Sequence, residues 1–178
     1  MTITPDIRQQ VRQRANFACE FCGVTEVDTA GELTVDHYQP QTKGGSDELD
    51  NLIYSCPRCN QYKADYWPST DSDLFLWNPR QEAAKQHFLE LENGELHPLT
   101  ATGRFTITRL RLNRKPLISY RLRKKRNEEE LRLLTRYGEL VELLGQLNRQ
   151  MSTLMEEQQD LLREQRELLQ LILGQRRG

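Results

Sequence analysis

The sequence has no long apolar run. Its longest, Leu168 to Leu173, is six residues and includes Gln170, whereas crossing a bilayer takes about 20, so no membrane-spanning helix is expected. Met1 to Gln10 lacks the apolar core of a secretory signal, which makes the cytoplasm the expected compartment. A surplus of either charge is missing too: 25 Lys and Arg stand against 26 Asp and Glu, a net charge of -1. That total by itself announces no nucleic-acid partner. Aromatic residues are 7% and hydrophobic residues 37% of the 178, too lean for one large core yet too rich in Leu for disorder. Cysteine is scarce as well. The four present form two C-x-x-C pairs, and in a reducing compartment that arrangement points to metal rather than to disulfides.

The missing charge surplus is an average over unlike segments. Residues 1 to 100 hold 8 Lys/Arg and 16 Asp/Glu, residues 101 to 127 hold 10 and none, and residues 128 to 178 hold 7 and 10. A basic block from Arg104 to Arg126 can therefore generate a local positive potential that the whole chain does not have. Arg104, Arg109, Arg111, Arg114 and Lys115 are its candidate phosphate contacts. The alternative is a solvated helix face balanced by Glu128 to Glu130.

Asp6 to Phe17 reads as a helix after Pro5, with Ile7, Val11, Ala15 and Ala18 at helical spacing. Leu33 to His37 and Leu52 to Tyr54 read as short strands separated by a loop containing Pro40 and Gly44-Gly45. Pro57 suits a first helical turn, predicting a helix to about Asp65. Asp65 to Trp77 looks irregular, with Trp67 and Trp77 packing it onto the preceding segment. Asn93-Gly94 between hydrophobics predicts a hairpin over Phe88 to Leu96. Thr100 can cap a helix reaching about Leu112, and after Asn113 to Pro116 the pattern is helical almost to the end. His87 and His97 have no local carboxylate and are expected to be structural. The expected division is residues 1–67, 68–115 and 116–178.

The last helix carries a heptad. Leu133, Leu140, Leu147, Leu154, Leu161 and Leu168 recur every seven residues, each followed four later by Tyr137, Leu144, Met151, Gln158, Gln165 and Ile172. This is a seam with Leu at the d positions. A helix from Pro116 to Leu173 would be about 87 Å long, more than a small head can cover. Homodimerisation is the preferred way to bury the seam, and a fold-back hairpin breaking near Gly145 to Ser152 is the competing one.

Cys19-Glu20-Phe21-Cys22 and Cys56-Pro57-Arg58-Cys59 are two knuckles able to place four thiolates around one Zn²⁺. Four Cys ligands leave no open position, so that metal is expected to be structural. The 33 residues between the pairs contain Asp36-His37, Pro40, Gly44-Gly45 and Asn51-Leu52, and Asn60 and Lys63 follow the second pair. In residue types and order, about residues 15 to 63 resemble the HNH endonuclease family. Residues 75 to 113, with Asn78-Pro79-Arg80, His87-Phe88, Leu99-Thr100 and Gly103, more weakly resemble a segment that often follows this motif. The resemblance implies a small zinc-bound ββα-metal (treble-clef-like) head; with the hairpin and helix segment and the long coiled-coil helix read from the sequence pattern, the expected fold class is α+β.

It also implies a chemistry. Hydrolysing a phosphodiester needs a water, a group to take its proton, and a cation to hold oxygens as charge builds. His37 suits the base role, since histidine changes charge near neutral pH. Asp36 and Asn60 offer hard oxygen ligands for one Mg²⁺ or Mn²⁺, Asn51 would orient the histidine through the loop backbone, and Lys63 would face a phosphate or simply be solvated. Asn60 stands where the motif's name has His, so the preferred metal stays open. Neighbours on a regular strand point to opposite faces, so Asp36 and His37 can share a site only if the strand ends or bulges there. The expected function is a metal-dependent endonuclease acting on double-stranded DNA. A non-catalytic zinc module for nucleic acid, and an assembly protein built on its coil, are the alternatives.

Overall fold

The computed structural model describes residues 3–70 and 72–175, with side chains up to residue 171. It is an α+β structure with two small sheets and a long C-terminal helix. Two compact units divide it, the first ending at Lys125 and the second beginning at Arg126.

Helix α1 (Pro5–Arg14) starts on Thr4, whose side-chain oxygen accepts from the Ile7 N–H at 3.4 Å. It ends earlier than the predicted Phe17 because Asn16 and Phe17 take left-handed backbone angles (φ 49° and 57°), which a helix cannot continue through. A one-turn helix α2 (Glu26–Thr29), held by a Thr25/Asp28 capping box, has no counterpart among the expected elements. Strands β1 (Thr34–His37) and β2 (Leu52–Ser55) pair antiparallel, with Asp36 opposite Ile53 and His37 opposite Leu52. Helix α3 (Pro57–Lys63) follows β2 directly and stops at Ala64 (φ 51°).

The segment read as irregular, 65 to 77, has no helix or strand among its described residues. Trp77 is buried edge-on against Phe21 and Phe88 at centroid distances of 6.4 and 5.2 Å, and Trp67 packs edge-on against Tyr38 and Phe75. A short α4 (Ala84–His87) precedes the hairpin of β3 (Phe88–Glu90) and β4 (Leu96–Pro98). Its turn glycine, Gly94, has φ 79°, and a Cβ there would lie 3.0 Å from both Ile118 O and Leu122 Cγ. Glycine is needed for the turn and for the close approach alike. Helix α5 (Ala101–Arg109) is capped by Thr100 and stops before Arg111 (φ 48°).

One hydrophobic core joins α1, Phe21 of the first cysteine pair, β2, Trp77, Phe88, Leu110, Leu112 and Leu117. The residues of the weaker resemblance hold it together. Arg80 donates to Glu20 at 2.9 Å, and Glu20 also accepts from Tyr54 N at 2.7 Å. His87 is buried and shares a hydrogen bond with Thr100 Oγ1 at 2.7 Å. This is the satisfied, structural histidine expected, although a carboxylate five residues back, Glu82, also lies 3.4 Å from Nε2. His97 pairs with Leu89 in the hairpin register.

The last helix, α6 (Lys115–Gln175), is continuous through Gly145 to Ser152, which removes the fold-back hairpin. Within the second unit the apolar seam residues Leu133, Tyr137, Leu140, Leu144, Leu147, Met151, Leu154, Leu161 and Leu168 are each at least half exposed. Ile172 lies outside the residues whose side chains are described. Leu134, Val141, Met155, Leu162 and Leu169 are also exposed, each one position after a seam Leu. The apolar face thus takes three positions in seven for much of its length, wider than the two-position seam read from Leu spacing.

Candidate active site

The first knuckle is a tight turn. Gly23 N donates to Cys19 O at 2.7 Å and Cys19 N to Val24 O at 2.8 Å. The second opens α3, where Cys56 is the N-cap and its sulfur accepts from Cys59 N at 3.4 Å. All four thiols are free of disulfides, and their Sγ atoms lie within 4.8 Å of one another. Cys22 Sγ and Cys56 Sγ are 3.7 Å apart. Sulfurs about 2.3 Å from a tetrahedral Zn²⁺ stand about 3.8 Å from each other, so the cluster fits that ion. Hydrogen bonds among the thiols, chiefly with Cys19, push Cys22 and Cys59 up and Cys56 down. Among the described residues this is the one group of three or more Cys, His, Asp or Glu placed to hold a metal.

Because side chains alternate along β1, Thr34 and Asp36 share the face that α3 covers. Asn60 Nδ2 donates to Thr34 Oγ1 at 3.4 Å, and Lys63 Nζ lies 3.0 Å from Asp36 Oδ2. One turn apart on α3, Asn60 and Lys63 therefore meet the strand together. Lys63 departs from expectation. Instead of facing a phosphate or solvent it is 1% exposed, turned onto Asp36, because α3 lies on the strand along the face that Lys63 occupies. The ammonium balances the charge of Asp36 but lies off hydrogen-bonding direction, so the buried Oδ2 has no hydrogen-bond partner. The other oxygen, Oδ1, accepts from His37 N at 2.9 Å.

β1 ends at His37, the condition under which neighbouring Asp36 and His37 could serve one centre. The loop that follows is pinned by Asn51. Its Oδ1 accepts from Gln39 N at 2.8 Å, while its Nδ2 donates to Gln39 O at 3.1 Å and Ser46 O at 2.7 Å. The backbone adds Tyr38 N to Asn51 O at 2.7 Å. Gly45 is required by this clasp, since a Cβ would fall 1.8 Å from Gln39 O and 2.9 Å from Asn51 Nδ2. The same loop presents Asp47, which sequence reasoning missed. Its Oδ1 is 2.7 Å from His37 Nε2 and accepts from Gln41 Nε2 at 2.7 Å. Its hydrogen bond with His37 holds its carboxyl below the ordinary range. The signal that could have found it is an acid just after Gly44-Gly45 in a loop returning to the histidine.

The basic block is less uniform than its charge suggests. Arg104, Arg111 and Lys115 are exposed. Arg109 is half-buried, stacked on Tyr66 at 4.7 Å and donating to Lys63 O at 3.3 Å. Arg114 is half-buried near Tyr62 and donates to Leu110 O at 3.1 Å. Arg121 is buried and structural, its guanidinium donating to Gly94 O and Leu112 O at 2.6 and 2.9 Å. The block thus supplies fewer solvent-facing cations than its ten Lys and Arg imply.

Residues 19–65 match the HNH endonuclease family model, spanning both knuckles, β1, β2 and α3. This part of the chain is thus similar to HNH domains, which are generally found in nucleases. Neither the curated proteins nor the solved structures contain a match to the chain. No helix among the described residues is long and apolar enough to cross a membrane.

Proposed function

We propose that the protein is a metal-dependent endonuclease that hydrolyses phosphodiester bonds of double-stranded DNA. The observation that carries this reading is Asp36. Its buried Oδ2 lacks a hydrogen bond beside the end of β1, inside the HNH segment. The Lys63 ammonium 3.0 Å away balances its charge, but the oxygen keeps an unused acceptor position that a metal ion could take. Asp36 and Asn60 would hold one Mg²⁺ or Mn²⁺, and when bound it would polarise the phosphate and stabilise the leaving oxygen. His37 takes the proton from the attacking water. Asp47 receives the Nε2–H and so leaves Nδ1 as the basic nitrogen. Asn51 is a positioning residue, fixing the loop that carries Asp47 back to the imidazole. Zn²⁺ on Cys19, Cys22, Cys56 and Cys59 is structural, and a reducing cytoplasm suits four unpaired thiols.

Purified zinc-loaded protein incubated with supercoiled plasmid should nick or linearise it with added Mg²⁺ or Mn²⁺ and leave it intact in their absence. Intact plasmid, linear duplex and single strands across several divalent metals would sink the enzyme reading. One observation favours the alternative of a non-catalytic zinc module: the Lys63 ammonium already balances Asp36. Binding without cutting in the same assay is its signature.

The exposed face of the second unit supports self-association, read as a homodimer through a coiled coil. Sedimentation equilibrium should give twice the 20.9 kDa chain mass for the wild type. A Leu147→Lys, Leu154→Lys double variant should sediment as a monomer. A wild-type monomer would remove the dimer, and a larger assembly would reflect the additional apolar positions.

A further inference from the structure

On the side of α3 turned away from Asp36 lies an open cleft of about 860 Å³, whose lining includes Asp28, Arg58, Tyr62, Arg114, Tyr120 and Arg123. Helical spacing separates the two faces. Residues 60 and 63 meet β1, whereas 58 and 62, four apart, share the other side. Aromatic rings of the cleft hold guanidinium groups in and beside it: Arg114 over Tyr62 at 5.6 Å and Arg123 over Tyr120 at 5.8 Å among the lining residues, and Arg111, outside the lining, over Tyr62 at 4.9 Å. A ring fixes a guanidinium through its face and leaves N–H edges free to donate. Arg58 bonds to Gln61 Oε1 at 3.1 Å, a neutral partner. Asp28 is already committed to capping α2 and to Arg123 at 3.1 Å. Arg114 directs Nη1 to the backbone, donating to Leu110 O and Arg111 O at 3.1 and 3.2 Å.

We propose that this cleft is a second site for nucleic-acid backbone phosphates, distinct from the Asp36/His37 centre, in which Arg58 and Arg123 of its lining, with Arg111 stacked on Tyr62 beside it, donate to the phosphates. Guanidinium groups preset at fixed positions match phosphate oxygens in a way that mobile lysines do not. The site holds strand by charge and geometry and reads no bases. It rests on the nucleic-acid reading of the HNH segment but not on cleavage.

The test is fluorescence anisotropy of the full-length, zinc-loaded protein with a labelled DNA duplex, without Mg²⁺ or Mn²⁺, over a salt series. Replacing Arg58, Arg111 and Arg123 together by Gln should weaken binding at least tenfold. It should also flatten the log K against log salt slope by about 0.9 for each phosphate that is no longer neutralised. Zinc content and circular dichroism report whether the triple variant folds. The single Arg58→Gln variant, which removes only an exposed side chain, should flatten the slope by about 0.9 alone. Binding and slope equal to wild type in folded variants overturn the cleft while leaving an active nuclease in place. Failure of the wild type to bind duplex, single-stranded DNA or RNA overturns it as well. Arginine-dependent binding by a protein that cuts no plasmid supports the cleft and refutes the nuclease reading.

Discussion

Cys56→Ser is expected to lose zinc and with it the fold of the first unit. Serine is itself a good N-cap, so the variant can still cap α3 and what it removes is the metal ligand. The energies make the loss large. A structural zinc contributes about 10–16 kcal/mol of apparent binding free energy, against a total folding stability of about 5–15 kcal/mol for an ordinary domain. The cluster ties the knuckle bearing Glu20 and Phe21 to the first turn of α3, which carries Asn60 and Lys63 onto β1. Metal analysis should find one zinc per wild-type chain and less in the variant. Circular dichroism should show loss of the first unit's cooperative melt, and a strong chelator should reproduce the effect in the wild type. A variant that keeps one zinc and melts with the wild type would overturn a four-cysteine site.

His37→Ala is expected to reduce plasmid cleavage by about 10²–10⁴-fold, the range a positioned general base contributes, while duplex affinity and zinc content stay unchanged. The alanine sits at the end of β1 and leaves the strand pairing with Leu52 to the backbone. Asp47→Asn should lower the rate less, because the amide can still meet Nε2 but no longer fixes which nitrogen carries the proton. The wild-type Asp47 carboxyl is held low by its hydrogen bond with His37. The sign follows: a depressed carboxyl stays charged above its ordinary value of ~3.9 and is neutralised only below it, so orientation of the imidazole persists from neutral pH down through that value. Asp47 should therefore add no acid limb between about pH 4 and pH 7. Equal cleavage by wild type and His37→Ala would remove the base role.

Much of the candidate site is legible in residue order. The cysteine pairs, the Asp-His at a strand end, the Asn ahead of the second strand and the Asn after the second knuckle are all local patterns, and the structure places them along one β-β-α path. Lys63 was legible as a residue of that frame but not in its direction. Whether a lysine reaches solvent or a carboxylate depends on how α3 lies on β1, which no spacing within the helix determines. Asp47 meets His37 only because Asn51 and Gly45 fold the intervening loop back. Arg121 looked like one more cation of a basic block, yet its partners are carbonyls of the hairpin turn and of the residues before α6.

The amino-acid order by itself determined the four-cysteine set able to hold a metal, the elements around it and the repeating apolar face of α6. Each of these is a short-range rule: ligand spacing, strand alternation and helical periodicity. Only the tertiary structure decided which charges are spent inside the protein and which remain at its surface. The net charge of -1 counts Arg121, Lys63 and Arg58 alike. Burial against carbonyls absorbs the first, pairing with Asp36 the second, and the third is left beside Tyr62 at an open cleft. The reason is physical: the free energy of a charge depends on the solvent and partners around it, and those are set by contacts distant in sequence.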